Sequence, residues 1–200
     1  MKPLRPQAFV ALAVLVLGMW VSATTVIPMS IEELTSAATE IVRVHVIDSR
    51  SAWDDQHSAI YTYTRFQADE ILKGSRGSVI TVKELGGSAE GYTLHVAGLH
   101  PWSKAEAALL FLRPSEAQDG TFSIVGLMQG DFRLHRSSSG EMIADNGLHL
   151  SAARAMSMEG EIHAYNPPTK QLTLYSGSQL TLNELETRVH AAVTGGKNLQ

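Results

Sequence analysis

The chain has 200 residues, with 16 Lys and Arg against 20 Asp and Glu, a formal charge of -4 and no cysteine. Its 44% hydrophobic and 18% charged residues are the balance of a globular domain and exclude a disordered or fibrous chain. The missing thiols exclude a disulfide scaffold, a thiolate zinc site and a cysteine nucleophile, and the mild acidity argues against a broad nucleic-acid surface.

Lys2 and Arg5 precede an almost unbroken apolar run from Phe9 to Val21, and Val21-Ser22-Ala23 is the small-residue pattern that a signal peptidase cuts. The run falls short of the about 20 residues that a spanning helix needs. Residues 1–23 therefore read as a secretory signal peptide, with an uncleaved anchor as the alternative. The mature chain, from Thr24 onward, reads as a secreted or periplasmic protein with no stable membrane insertion.

Ser30-Ile31-Glu32-Glu33 fits a capping box and predicts a short helix from Ile31 to Ala37. From Glu40 to Asp48 the period changes: Val42, Val44 and Val46 share one face, as in a half-buried strand. Ser49 to Ser58 reads as polar and turn-like, interrupted by Trp53. Ile60 to Leu72 predicts a long strand, with Ile60, Thr62, Thr64, Phe66 and Ala68 on one face and Tyr61, Tyr63, Arg65 and Gln67 on the other. Ser78 to Leu85 alternates Val79, Thr81 and Lys83 against Ile80, Val82 and Glu84. Gly86-Gly87-Ser88 reads as a turn and Gly91 to Ala97 as a further strand. His100-Pro101-Trp102-Ser103 is a loop.

Ala105 to Leu112 fits either a helix or a buried strand, and the flanking turn signals and Pro114 favour a strand from Ala108 to Leu112. Strands are also predicted at Thr121 to Leu127, Asp131 to His135 and Glu141 to Ala144. Glu161 to Ala164 and Gln171 to Tyr175 suggest a peripheral hairpin. Thr181 and Glu184 form a second capping box ahead of a Leu182, Leu185, Val189, Val193 stripe, predicting a helix from Leu182 to Val193 that Gly195 and Gly196 stop. About seven short strands with frequent glycine turns imply an antiparallel barrel or sandwich.

Four phrases carry a resemblance: Ser51-Ala52-Trp53 with Tyr61-Thr62-Tyr63-Thr64-Arg65-Phe66; Glu70-Ile71-Leu72-Lys73-Gly74; Leu109-Leu110-Phe111-Leu112; and Val125-Gly126-Leu127-Met128-Gln129-Gly130-Asp131-Phe132. Over residues 38–135 the chain resembles a group of bacterial secreted proteins whose core is similar to the OB-type barrel of netrin-like modules and tissue inhibitors of metalloproteinases. Together with the strand pattern and the capping boxes, the resemblance makes the expected fold mainly β: a small antiparallel OB-like β-barrel over residues 24–150, with a short N-terminal helix. A C-terminal hairpin and helix over residues 151–200 would pack on that barrel. Those inhibitors place an N-terminal cysteine on the protease zinc. This chain has none, so no inhibitory residue carries over.

Motifs for catalysis are sparse. The eight histidines show no H-E-x-x-H spacing, and Asp54, Asp55 and His57 read as a solvated loop. Gly86-Gly87-Ser88-Ala89-Glu90 lacks the final glycine of a nucleophile elbow. Neither Glu32-Glu33 nor Asp69-Glu70 has a visible partner across a cleft. No phosphate loop is present.

The candidate binding residues are aromatic and cationic: Trp53, Tyr61, Tyr63, Arg65 and Trp102. OB-type barrels bind ligands across their strand face and adjoining loops, and Tyr, Trp and Arg anchor protein interfaces. The leading expectation is a secreted, non-enzymatic binding module without cofactor or metal. Its partner would be a protein, a secreted protease being one candidate by resemblance. The alternatives are an extracytoplasmic hydrolase or metal-dependent enzyme with a site assembled from distant residues, and a self-associating envelope protein.

Overall fold

Helix α1 (Ile31–Ala37) forms where the capping box predicted it: Glu33 N donates to Ser30 Oγ, and Ser30 N donates to Glu33 Oε2 at 2.7 Å. At its other end Lys73 Nζ donates to the carbonyls of Thr35 and Ala38, satisfying acceptors that the helix end leaves open. The computed structural model describes residues 28–75, 77–96, 99, 101–146 and 180–197. The expected signal peptide and the hairpin around residues 161–175 lie outside the described residues.

Among the described residues ten strands follow, most of them gathered into one sheet. They are β1 (Glu40–Trp53), β2 (Ile60–Lys73), β3 (Val79–Leu85), β4 (Gly87–Ala89) and β5 (Tyr92–Leu94), then β6 (Ala107–Pro114), β7 (Phe122–Ile124), β8 (Asp131–Arg136), β9 (Met142–Asp145) and β10 (Leu180–Thr181). Strands β1, β2, β3, β7 and β6 close a five-stranded barrel, because β6 returns to pair with β1. Among the described strands every pairing is antiparallel except β3 with β7, which meet in parallel at Val82 and Phe122. The order gives a mainly β, OB-like barrel with a short N-terminal helix and a C-terminal one. The free edge of β6 is divided: Leu112–Pro114 pair with β7, and Ala107–Leu110 pair with β8, which leads on to β9 and β10.

Strand β6 and the start of β1 are buried on both faces. Val42, Val44, Val46, Ala108, Leu110 and Leu112 point into the barrel against Phe66, Ile80, Val82 and Trp102. Ile41, Leu109 and Phe111 point outward into a second core with Leu34, Leu72 and Phe132. A strand covered on both sides reads as a continuous apolar run rather than an alternating one, which is why Ala108 to Leu112 also fits a helix.

The second core is covered by α2 (Leu182–Lys197), whose Leu185 and Val189 are fully buried while Leu182 and Val193 flank them. The second capping box is present, with Thr181 N donating to Glu184 Oε2 and Glu184 N to Thr181 Oγ1. Ion pairs fix the helix at both sides: Arg188 with Glu32 of α1 at 2.9 Å, and Glu186 with Arg43 of β1 at 3.0 Å. Gly195 does not stop it, since α2 runs to Lys197. A glycine costs a helix about 1 kcal/mol, and it ends one chiefly in a left-handed cap. Gly195 is not among the positive-φ glycines. Among the described residues, no helix is long and apolar enough to cross a membrane.

Three further boundaries differ from the sequence expectation. β1 continues through Ser49–Trp53, because those polar residues pair in register with Ile60–Thr64 of β2. The expected turn at Gly86-Gly87-Ser88 is the start of β4, and the reversal comes at Glu90-Gly91, both with positive φ. The strand expected from Thr121 to Leu127 ends at Ile124, and a 3-10 helix (Leu127–Gly130) follows Gly126 at φ 66°.

Candidate binding surface at the barrel mouth

The β1–β2 hairpin extends past the barrel, and its outer face carries a row of aromatic and cationic side chains. Register places Arg50, Tyr63 and Lys83 directly opposite one another on β1, β2 and β3. Cross-strand neighbours stand about 4.5–5.5 Å apart at Cβ, so the three side chains meet. Arg50 Cζ lies 5.8 Å from the Tyr63 ring centroid, and Lys83 Nζ lies 4.7 Å from Tyr61 and 5.5 Å from Tyr63. Lys83 is also held by Asp119 Oδ2 at 3.1 Å. Burial pulls the Lys83 ammonium down, but Asp119 and Tyr63 outweigh it and raise it above its ordinary value. Arg65 is exposed and pairs with Asp48 at 3.4 Å. Tyr61, Tyr63 and Arg65 therefore share one surface.

Trp53 closes the end of β1 in a separate aromatic group. His57 stacks on it at 4.7 Å and 15°, and Tyr92 meets it edge-on at 5.7 Å. Its indole Nε1 is buried with no hydrogen-bond partner, and Tyr92 is 66% exposed. The Asp54 carboxylate closes the adjoining loop, accepting from Ser58 N, Ser58 Oγ and Ala59 N. Those bonds hold it below its ordinary carboxylate value.

Trp102 lies elsewhere. It is 8% exposed and belongs to the barrel core, with Phe66 edge-on at 4.9 Å. Arg133 lies over its ring at 4.0 Å, and its Nε1 donates to Glu84 Oε2 at 2.9 Å. Arg133 also reaches Glu106 at 2.8 Å and Asp131 at 3.2 Å. Burial pushes the Glu84 carboxyl up, against the pull of Trp102 and Arg133. Burial, opposed by Arg133 but reinforced by Glu84 and Glu106, pushes Asp131 up to about 7. Asp131 Oδ1 is buried without a hydrogen-bond partner.

Above this group opens a cleft of about 340 Å³, lined by residues of β1 to β5 and of the loop before β6. Ser49, Ser51, Thr62, Ser88 and Thr93 give it hydroxyls, Leu85, Leu94 and Trp102 give it apolar walls, and Glu84 gives it a carboxyl. Its volume falls in the range of small-ligand sites, about 300–1,000 Å³.

The sequence pointed to Trp53, Tyr61, Tyr63, Arg65 and Trp102. The structure groups the tyrosines with Arg65, sets Trp53 beside His57 and Tyr92, and places Trp102 in the core. Lys83 and Glu84 were missed. A signal for Glu84 was present, since it follows Ile80 and Val82 on the inward face of β3.

Among the described residues, no group of three or more His, Asp or Glu side chains is placed to hold a metal. His45 pairs with Asp69 at 2.8 Å and His57 with Glu90 at 3.4 Å. Nucleophilic catalysis needs a hydroxyl on the other side of such a pair. The hydroxyls Ser49, Ser51, Thr62 and Thr64 bond instead to one another or to Gly86 O. No protein-family model matches the chain, and no curated protein matches it.

Proposed function

We propose that this chain is a secreted, non-enzymatic binding module that engages a protein partner through the outer face of its β1–β2 hairpin. The observation that carries the reading is the cross-strand row Arg50, Tyr63 and Lys83, with Tyr61 and Arg65 beside it. Tyrosine presents large contact area at low entropic cost, and tyrosine and arginine are enriched among the residues that dominate interface energetics. The row is preorganised by strand pairing and by Asp119, so a partner meets side chains that are already ordered. Helix α2 packs against Ile41 and Leu72, at the end of β2 away from Tyr61 and Tyr63, so α2 itself does not cover this face. The resemblance to netrin-like modules makes a secreted protease one partner class.

The test is affinity capture with the tagged chain from the envelope and culture medium of its host. One protein recovered near stoichiometry supports the reading, and an activity assay then separates inhibitor from adaptor if that protein is a protease. Recovery of the bait alone under mild, low-salt washing contradicts it.

A further inference from the structure

We propose that the cleft at the barrel mouth takes a primary ammonium group on an aliphatic stem, presented as a lysine side chain of the partner, with the Glu84 carboxylate as its counter-charge. The proposal rests on the binding-module reading and goes beyond it: Ser51, Thr62 and Glu84 alternate with Arg50, Tyr63 and Lys83 along the strands, so the cleft is a second contact on the opposite face.

Charge is the first argument. Three carboxyls, Glu84, Glu106 and Asp131, gather around the Arg133 guanidinium. Arg133 binds Glu106 and Asp131 directly, and Glu84 feels it only at a distance. Glu84 is the member of this group that lines the cleft, and Trp102 donates to its Oε2. Among the described residues Glu84 forms no ion pair, Arg133 acting on it only at longer range, and such a carboxylate in a half-apolar cleft favours a cation.

Hydrogen-bonding capacity is the second. Thr62 Oγ1 donates to Gly86 O at 2.7 Å, so in the 2.9 Å contact between Ser51 and Thr62 it is Ser51 that donates. Ser51 then has lone pairs left to accept with in the cleft lining, in the cross-strand row Ser51, Thr62 and Glu84. An ammonium group has three donors and no acceptor, and matches such a lining.

Shape is the third. Leu85, Leu94, Val96, Leu99 and Pro101 wall the cleft and suit a four-carbon stem. Lysine is favoured over arginine because one Glu84 oxygen is already held by the indole, whereas a guanidinium binds a carboxylate through both oxygens.

The test uses the purified chain and Nα-acetyl-lysine methylamide, followed through the indole N–H resonance of Trp102. Expected is a saturable shift, weakened by about tenfold or more in Glu84→Gln, with no saturation by the norleucine counterpart and weaker binding of the arginine one. The lysine-against-norleucine comparison needs no variant, so it stands even if Glu84→Gln folds poorly. Equal response to lysine and norleucine amides, or lysine binding unchanged in Glu84→Gln, overturns the proposal. If a captured partner binds Glu84→Gln as tightly as wild type, the partner does not use the cleft while the binding-module reading survives. If the lysine amide binds and no partner is captured, the binding-module reading falls and the site serves a free amine.

Discussion

The indole of Trp102 donates to Glu84 Oε2 across 2.9 Å, tying the loop before β6 to the inward face of β3. The bond gives a recessed carboxylate a direct donor and sets the floor of the cleft. Removing the donor leaves that oxygen unsatisfied. Trp102→Phe is therefore expected to cost about 1–3 kcal/mol for the stranded group, plus the lost packing on Phe66. Glu84→Gln keeps an acceptor for Nε1 and loses the charge, and should cost about 1 kcal/mol or less. In a double-mutant cycle read by denaturant unfolding, a coupling of about 1 kcal/mol is expected. Strict additivity would show that the charge on Glu84 adds nothing to the bond.

Asp131 predicts a pH effect with a definite sign. Its folded-state pKa is pushed up to about 7 by burial, with Glu84 and Glu106 adding to it and Arg133 opposing it. In the unfolded chain an aspartate ionises near about 3.9. Between those values only the folded state holds the proton, so this group makes the protein progressively less stable as pH rises from about 4 to about 7. Asp131→Asn removes the ionisation. Its unfolding midpoint relative to wild type should improve across that window and stay level above it. A difference that does not change with pH would contradict the assignment.

Leu185 tests how α2 is held. It is fully buried among Leu34, Ile41 and Leu72. Leu185→Ala is expected to destabilise the protein by about 2–5 kcal/mol. A cost below about 1 kcal/mol would mean that the helix is not docked on the second core.

Local chemistry made much of the fold legible. Both capping boxes formed with the residues that announced them, Ser30 with Glu33 and Thr181 with Glu184. The alternation of β2 sorted Phe66 inward and Arg65 outward. What was not legible depended on distant pairing. Ser49–Trp53 carries no strand pattern of its own and is extended because β2 lies beside it. Gly87 looks like a turn residue, yet it sits in β4 at φ 122° with Ser51 and Thr62 so close that a Cβ would collide with their hydroxyls. The proposed face was half legible: the tyrosines showed in the β2 pattern, but Arg50 and Lys83 join them only through the register of three strands. The joining of Glu84, Asp131 and Arg133 follows from barrel closure, which no local pattern encodes.

The most direct test of the binding-module account is the affinity of the captured partner for the Tyr61→Ala, Tyr63→Ala double variant, measured by calorimetry beside the melting temperature. Truncating two central aromatic anchors should cost about 2 kcal/mol or more of binding, a loss of about thirtyfold. The fold should lose only about 1 kcal/mol, a fall of about 2–4 °C in a chain of this size. Wild-type affinity in a folded double variant would contradict the account, because the partner would then bind without the face on which the account rests.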